Sequence, residues 1–465
     1  MNARRFAVAL GLGFALLSPV RAQEAPPDLA TALQELELRM PRPESLKRLA
    51  TAVATAPDWA ATRDVLATWL CEKYGTEAVK SPAWTRVDGL HRWAELFAAH
   101  PEATAKLSPA TRAWLLGSQR ATHGLFGLLC ENDRIPAALA LLDEFHAAEP
   151  GRFPKYDSLA VAMALVWDVP PRPTPHGQVS PSQMAPDTST PLEKFRFWVE
   201  THERKAADYD LAGLGADDLK FIVDATAPLD ELRWAQKSVP FNRGSFERAY
   251  SSVRYDQKRL ETGLFSWPHP GYRLEDIRKI GGICVDQAYF AAMSGKASGI
   301  PTLFFHGEGR RGGHAWFGYL RAPGKWNTDC GRYLYDKFAT GSAWDAQRSE
   351  EISDHEVAFL NEEFRGTPAY AESSTHLQQA RLFRSRGDAT RALAATDAAI
   401  RLCSMNLDAW REKGALLVGA EFDAHLKAML AQFARYPDVK AECMKKQGEL
   451  ARAAGDSRAA ALLED

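Results

Sequence analysis

Apolar residues recur at helical spacing from about Pro27 to Asp168. Between Asp58 and Tyr74, Val65 with Trp69 and Leu66 with Leu70 stand four positions apart, as on one face of an amphipathic helix. Ser108-Pro109 marks another helix start: a Ser side chain can accept an otherwise unpaired N–H, and Pro has none to lose in the first turn. A third helix is predicted from Pro136 to about Ala148, with Leu139, Leu142 and Phe145 on one side. Residues 23 to 169 are therefore expected to form a helical domain whose aromatic residues fill a core.

Seven prolines fall between Pro170 and Pro191, among Gly, Ser and Thr, so residues 170 to 191 read as a linker. Helical character returns from about Leu192 to Tyr250. A helix then opens at Cys284, with Ala288, Ala291 and Ala292 giving it a small, packable face, and Gly299-Ile300-Pro301 ends it. Three strands are predicted next: Thr302 to His306, His314 to Leu320, and Trp326 to Thr328 running into Asp329. A helix followed by antiparallel hairpins implies an α+β domain over 192 to 350, with its core at 245 to 345.

The last hundred or so residues repeat. Ala380, Gly414 and Gly448 stand 34 residues apart, where the two helices of a hairpin must pack closely. Phe383, Gly387-Asp388, Ala392 and Ala399 fill the first unit, Trp410 opens the second, and Gly455-Asp456 with Ala460 stand in the third. Residues 373 to 465 thus resemble a tetratricopeptide array. That resemblance implies units stable by stacking, with a groove for a peptide or partner protein. Helical hairpins that only prop the preceding domain are the alternative.

A length of 465 residues is enough for two to four domains, and 46% hydrophobic with 25% charged residues is a globular composition. A net charge of -2 gives no global case for nucleic acid or an anionic membrane. Arg4 and Arg5, an apolar run from Phe6 to Leu17 and Val20-Arg21-Ala22 read as a signal peptide over residues 1 to 22. Cleavage after Ala22 would leave a secreted or periplasmic chain beginning at Gln23. The apolar run is too short to span a bilayer, and no later segment is long and apolar enough, so no membrane span is expected. An oxidising compartment would permit pairs among the six cysteines, such as Cys71 with Cys130 or Cys403 with Cys443, without the spacing deciding any of them.

The chemistry gathers in the α+β region. Gly281-Gly282-Ile283-Cys284 places a thiol where a turn enters a helix, and unpaired N–H groups there favour the thiolate. Gly312-Gly313-His314 then sets an imidazole at the start of a strand behind small residues, able to accept the thiol proton and return it to a leaving amine. The hairpin through 321 to 325 is expected to bring Asp329 roughly opposite His314, where a carboxylate would fix the ring. The backbone N–H of Cys284 would supply the first oxyanion donor. His306 and Asp286 lie close in sequence, and Arg310 and Arg311 precede His314. Cys284, His306 and His314 lack zinc-site spacing, and no phosphate-binding Gly-Lys-Ser/Thr loop occurs, so no metal or cofactor is expected.

Taken in order, Gly-Gly-Ile-Cys-Val-Asp-Gln-Ala, Gly-Ile-Pro, Gly-His-Ala-Trp and Trp-Asn-Thr-Asp resemble the transglutaminase-like superfamily, over about a fifth of the chain. The resemblance implies a papain-like fold and acyl transfer through a thioester, with Cys284 as nucleophile, His314 as base and Asp329 as orienting acid. It also implies an upstream aromatic beside the oxyanion, a position that Tyr255 resembles. Asp329 departs from the family pattern in being followed by Cys330-Gly331-Arg332, and Cys330 could pair with Cys284. The expected function is an exported thiol enzyme acting on a protein or peptide amide, with either water or a second amine resolving the thioester. A non-catalytic binding or scaffold protein using the same fold and repeats is the rival reading.

Overall fold

The computed structural model describes residues 28 to 453 and residue 455, apart from 39, 57, 76, 173, 310, 311 and 334 to 339. The expected signal peptide, Arg310, Arg311, Asp456 and Ala460 lie outside the described residues.

Among the described residues from Leu29 to Val166 the regular elements are helices. Asp58 caps Trp59–Lys73 by accepting the N–H groups of Ala60 (2.8 Å) and Ala61 (3.2 Å), and Ser108 Oγ caps Pro109–Gly117 through Thr111 N–H at 3.2 Å. The predicted third helix is Ile135–Ala148. Asp157–Val166 is buried along its whole length, as a helix that is apolar on every side after its polar first two residues must be. It packs on Ala216–Val223, and Trp167 Nε1 donates to Val223 O at 2.8 Å nearby. One apolar core consequently runs from the N-terminal helices to the elements around the sheet.

The Pro-rich stretch lies along residues 267 to 272. Gln178 O and Gln183 O accept the N–H groups of Trp267 (2.9 Å) and Tyr272 (2.8 Å), and Gln183 Nε2 donates to Trp267 O and His269 O. Its backbone thus finds partners without entering a sheet.

The sheet has five antiparallel strands in the order β3-β2-β1-β4-β5: β1 Thr302–Gly309, β2 Gly312–Ala322, β3 Lys325–Cys330, β4 Ser342–Asp345 and β5 Glu350–Ser353. Cys284–Ala297 packs across β1 and β2, with every residue from Val285 to Ala297 buried. Gly299, at φ +67°, turns the chain out of that helix into β1. The fold is mixed α+β.

The β2–β3 hairpin corrects one expectation. Ala322 pairs with Lys325 around Gly324 at φ +66°, a tighter turn than the five-residue connection read from the sequence. With two register shifts between the strands, Phe317 pairs with Cys330. Asp329 therefore sits beside the Phe317–Cys330 pair and not opposite His314.

Three successive helix units follow: Pro368–Ser385 with Ala389–Leu402, Leu407–Gly414 with Gly419–Gln432, and Pro437–Ala453. Ala380, Gly414 and Gly448 are buried in the first helix of each. The first unit returns to the N-terminal helices, where Tyr74 Oη and His376 Nδ1 are 2.6 Å apart and the Tyr74 and Phe383 rings meet edge to face. All six cysteines are free thiols. Among the described residues, no helix is long and apolar enough to cross a membrane.

Candidate active site

Cys284 is the first residue of its helix, and the turn before it is held from both sides. Gly281 takes φ +99°, and a Cβ there would lie 2.6 Å from Arg254 O, so only glycine fits. Gly282 N–H donates to Arg254 O at 3.0 Å, and Gly282 O accepts from Asp256 N–H at 2.9 Å. Tyr255, between them, forms a bridge with Gly282. Gln287, one turn into the helix, donates from Nε2 to Val253 O at 2.7 Å. The residues 253 to 256 thus clamp the turn that carries the thiol.

The thiol packs with Ile283, Val285, Ala288 and Ala315, the last being the residue that follows His314. Tyr250, Tyr255 and Phe304 also pack on this cluster. Burial pushes the Cys284 thiol above its ordinary value, while the N–H groups of Ala315 and Val285 pull it down. The helix start alone was expected to favour the thiolate; in the folded chain enclosure outweighs it.

His314 is 7% exposed, and its Nε2 is 2.8 Å from Gly331 O. A carbonyl oxygen can only accept, so Nε2 carries a proton and the neutral ring has its lone pair on Nδ1. The ring stacks on Tyr333 with centroids 4.2 Å apart and lies near Trp316. Asp329 Oδ1 accepts from Arg332 Nη1 at 3.1 Å, and the same nitrogen reaches Asp354 Oδ2 at 2.6 Å. Arg332 N–H also closes a turn onto Asp329 O at 3.2 Å. Asp329 thereby anchors the turn that presents the Gly331 carbonyl to the imidazole.

Two aromatic residues at this site escaped the sequence reading. Tyr250 donates its hydroxyl to Ala315 O at 3.0 Å, and its ring fills the space a Gly331 side chain would need, 2.6 Å from the ideal Cβ. Burial first, then the neighbouring Cys284, Tyr333 and Tyr255, hold the Tyr250 phenol well above its ordinary value, so it remains a donor. Tyr333, the other, covers the imidazole and is 40% exposed. Neither carries a periodic signal, because each acts on a residue of β2 that folding brings near.

Of the other polar residues noted in the sequence, His306 is on the exposed side of β1 and lies 3.7 Å from Glu351. Asp286 is fully buried, its carboxylate bonded to Ile283 N–H, Arg259 and Tyr272. Among the described residues, no group of three or more His, Cys, Asp or Glu side chains is arranged to hold a metal ion. Comparisons of the chain with family models, with curated proteins and with solved structures returned no match.

Proposed function

We propose that this chain is an exported thiol enzyme of the transglutaminase-like class, acting on an amide of a protein or peptide. The observation that carries the reading is a helix-leading Cys284 packed against Ala315, the residue that follows His314, together with the engagement of His314 Nε2 by Gly331 O. That bond leaves Nδ1 as the basic nitrogen. Cys284 Sγ attacks the amide carbonyl as its proton passes to Nδ1. The Cys284 N–H, with Tyr255 beside the turn, stabilises the oxyanion. Collapse expels the amine, which takes the proton back from the imidazolium, and leaves a thioester on Sγ. Water then yields an acid, or a second amine yields a new amide. In this reading Asp329 orients the base by fixing the 329 to 332 turn and its carbonyl.

The same reading treats residues 23 to 169 as a helical N-terminal domain, the sheet region as papain-like and the C-terminal helices as tetratricopeptide-like. Export would follow cleavage after Ala22. The buried small residues Ala380, Gly414 and Gly448, one per unit, support the repeat assignment. Trp410, Phe422, His425 and Met429 line a small cavity within the second unit, bordered by Lys446 of the third; in this reading the array has an accessory role in holding a partner protein. A pure scaffold would use these helices and leave the thiol idle.

Brief iodoacetamide treatment at mildly acidic pH separates the two. The enzyme reading predicts that Cys284 is alkylated ahead of the other cysteines and that His314→Ala abolishes this preference. Cys284 reacting no faster than a model thiol supports the scaffold.

A further inference from the structure

Behind the thiol turn lies a chain of polar side chains that the proposed chemistry leaves unused. Asp286 stands at the third position of the Cys284 helix and is inaccessible to solvent. Its Oδ2 accepts the N–H of Ile283 at 2.8 Å and Arg259 Nη1 at 2.7 Å, and its Oδ1 accepts the Tyr272 hydroxyl at 3.0 Å. The Tyr272 hydroxyl donates to Asp286, so its oxygen accepts from His176 Nε2, 2.9 Å away. His176 Nδ1 in turn accepts Gln178 N–H at 3.3 Å. The Pro-rich stretch is thereby connected, bond by bond, to the residue that precedes the thiol.

A buried ion pair of this kind is costly to desolvate, and apolar residues of similar volume would serve the core as well or better. What an apolar replacement could not do is bond a backbone N–H at a chosen place. Asp286 does so at Ile283, and its side chain occupies the space above Gly282, where an added Cβ would lie 2.4 Å from Asp286 Cβ. Arg259 fixes the carboxylate from the far side while also holding Leu264 O and Phe265 O. The carboxylate is therefore set by Arg259 and Tyr272, and the turn is set by the carboxylate.

We infer that Asp286 is a positioning residue for the oxyanion donor: by holding the Gly282–Ile283 peptide through its N–H, it sets the course of the chain into the helix, so that the next amide, the Cys284 N–H, faces the carbonyl under attack. Tyr272 and His176 are its outer support. The inference rests on the acyl-transfer reading above. It separates two properties of the same cysteine: alkylation needs only a thiolate with access, whereas acylation also needs the N–H aimed at a developing oxyanion.

The experiment compares both reactions on the full-length mature chain, using iodoacetamide for alkylation and p-nitrophenyl acetate for acylation. In acylation Sγ displaces p-nitrophenolate and a thioester remains on Cys284. Asp286→Asn should lower the acylation rate about tenfold more than the alkylation rate, a loss at or below that of removing an oxyanion donor outright. Tyr272→Phe, which removes one bond to Asp286, should shift the ratio in the same direction by less, and it carries the test if Asp286→Asn fails to fold. Equal losses in both reactions, or none, in a folded variant overturn the inference while leaving the thiol enzyme standing. A wild-type chain that is alkylated at Cys284 but never acylated overturns the acyl-transfer reading itself, and this inference with it.

Discussion

His314 donates its Nε2–H to the carbonyl of Gly331, 2.8 Å away, which places the lone pair of the neutral ring on Nδ1. Gly331 can offer that carbonyl because it takes φ +92° beneath the ring of Tyr250.

Gly331→Ala should therefore act on both stability and reactivity. The new Cβ meets the Tyr250 ring at 2.6 Å in a conformation unfavourable to an L side chain, at a cost of about 1 to 3 kcal/mol. Urea denaturation should show the loss, and the alkylation rate of Cys284 should fall in the variant that remains folded. An unchanged rate would mean that the carbonyl does not set the imidazole.

Glu231 makes stability depend on pH. It is 4% exposed, accepts Leu274 N–H at 2.8 Å, and burial raises its carboxyl to about 7. Below about pH 4.5 both folded and unfolded chains hold the proton. As pH rises from there towards 7 the unfolded chain ionises first, so stability is lost over that interval and levels off above it. Glu231→Gln keeps an acceptor for Leu274 without the charge, and its Tm should match wild type near pH 4.5 and exceed it at pH 8. Parallel melting curves would contradict the assignment.

The contact between the first and last helical regions also has a measurable share. Burial raises the Tyr74 phenol to about 12 and lowers the His376 imidazole, so near neutrality a protonated hydroxyl donates to a neutral ring. Tyr74→Phe removes that bond and keeps the aromatic packing on Phe383, so a loss of about 1 kcal/mol is expected in urea denaturation. No loss would mean that the hydrogen bond contributes nothing to holding the repeat helices against the N-terminal ones.

Much of the local structure was legible because its causes are local. Ser108-Pro109 and Gly299-Ile300-Pro301 set helix ends through capping, missing donors and positive φ, all properties of neighbouring residues. β4 and β5 were missed: each is only four residues long, and β4 forms by pairing Phe305 with Ala343 across the chain. The place of Asp329 was misread because the tight turn at Gly324 and the bulges of β2 and β3 reset the register, and a register has no signature in spacing. Cys284 and His314 stood out because glycines precede both. Tyr250 and Tyr333 did not, and Asp286 was noted only for its place near Cys284, since what each does depends on a partner brought near by folding: Ala315, His314, and Arg259 with Tyr272.

The central claim is that His314 activates Cys284, and the most direct test is the intact mass of the protein after brief iodoacetamide treatment from pH 5 to 9, with the labelled cysteine mapped. In the folded chain burial, with the Asp286 carboxylate, holds this thiol above its ordinary value despite the N–H groups that pull it down, so labelling of Cys284 at a pH well below the ordinary thiol value of about 8.5 points to a cationic partner. The account predicts such labelling in wild type and a profile displaced above that value in His314→Ala. Labelling of Cys284 only at alkaline pH, with the same profile in both chains, would contradict it.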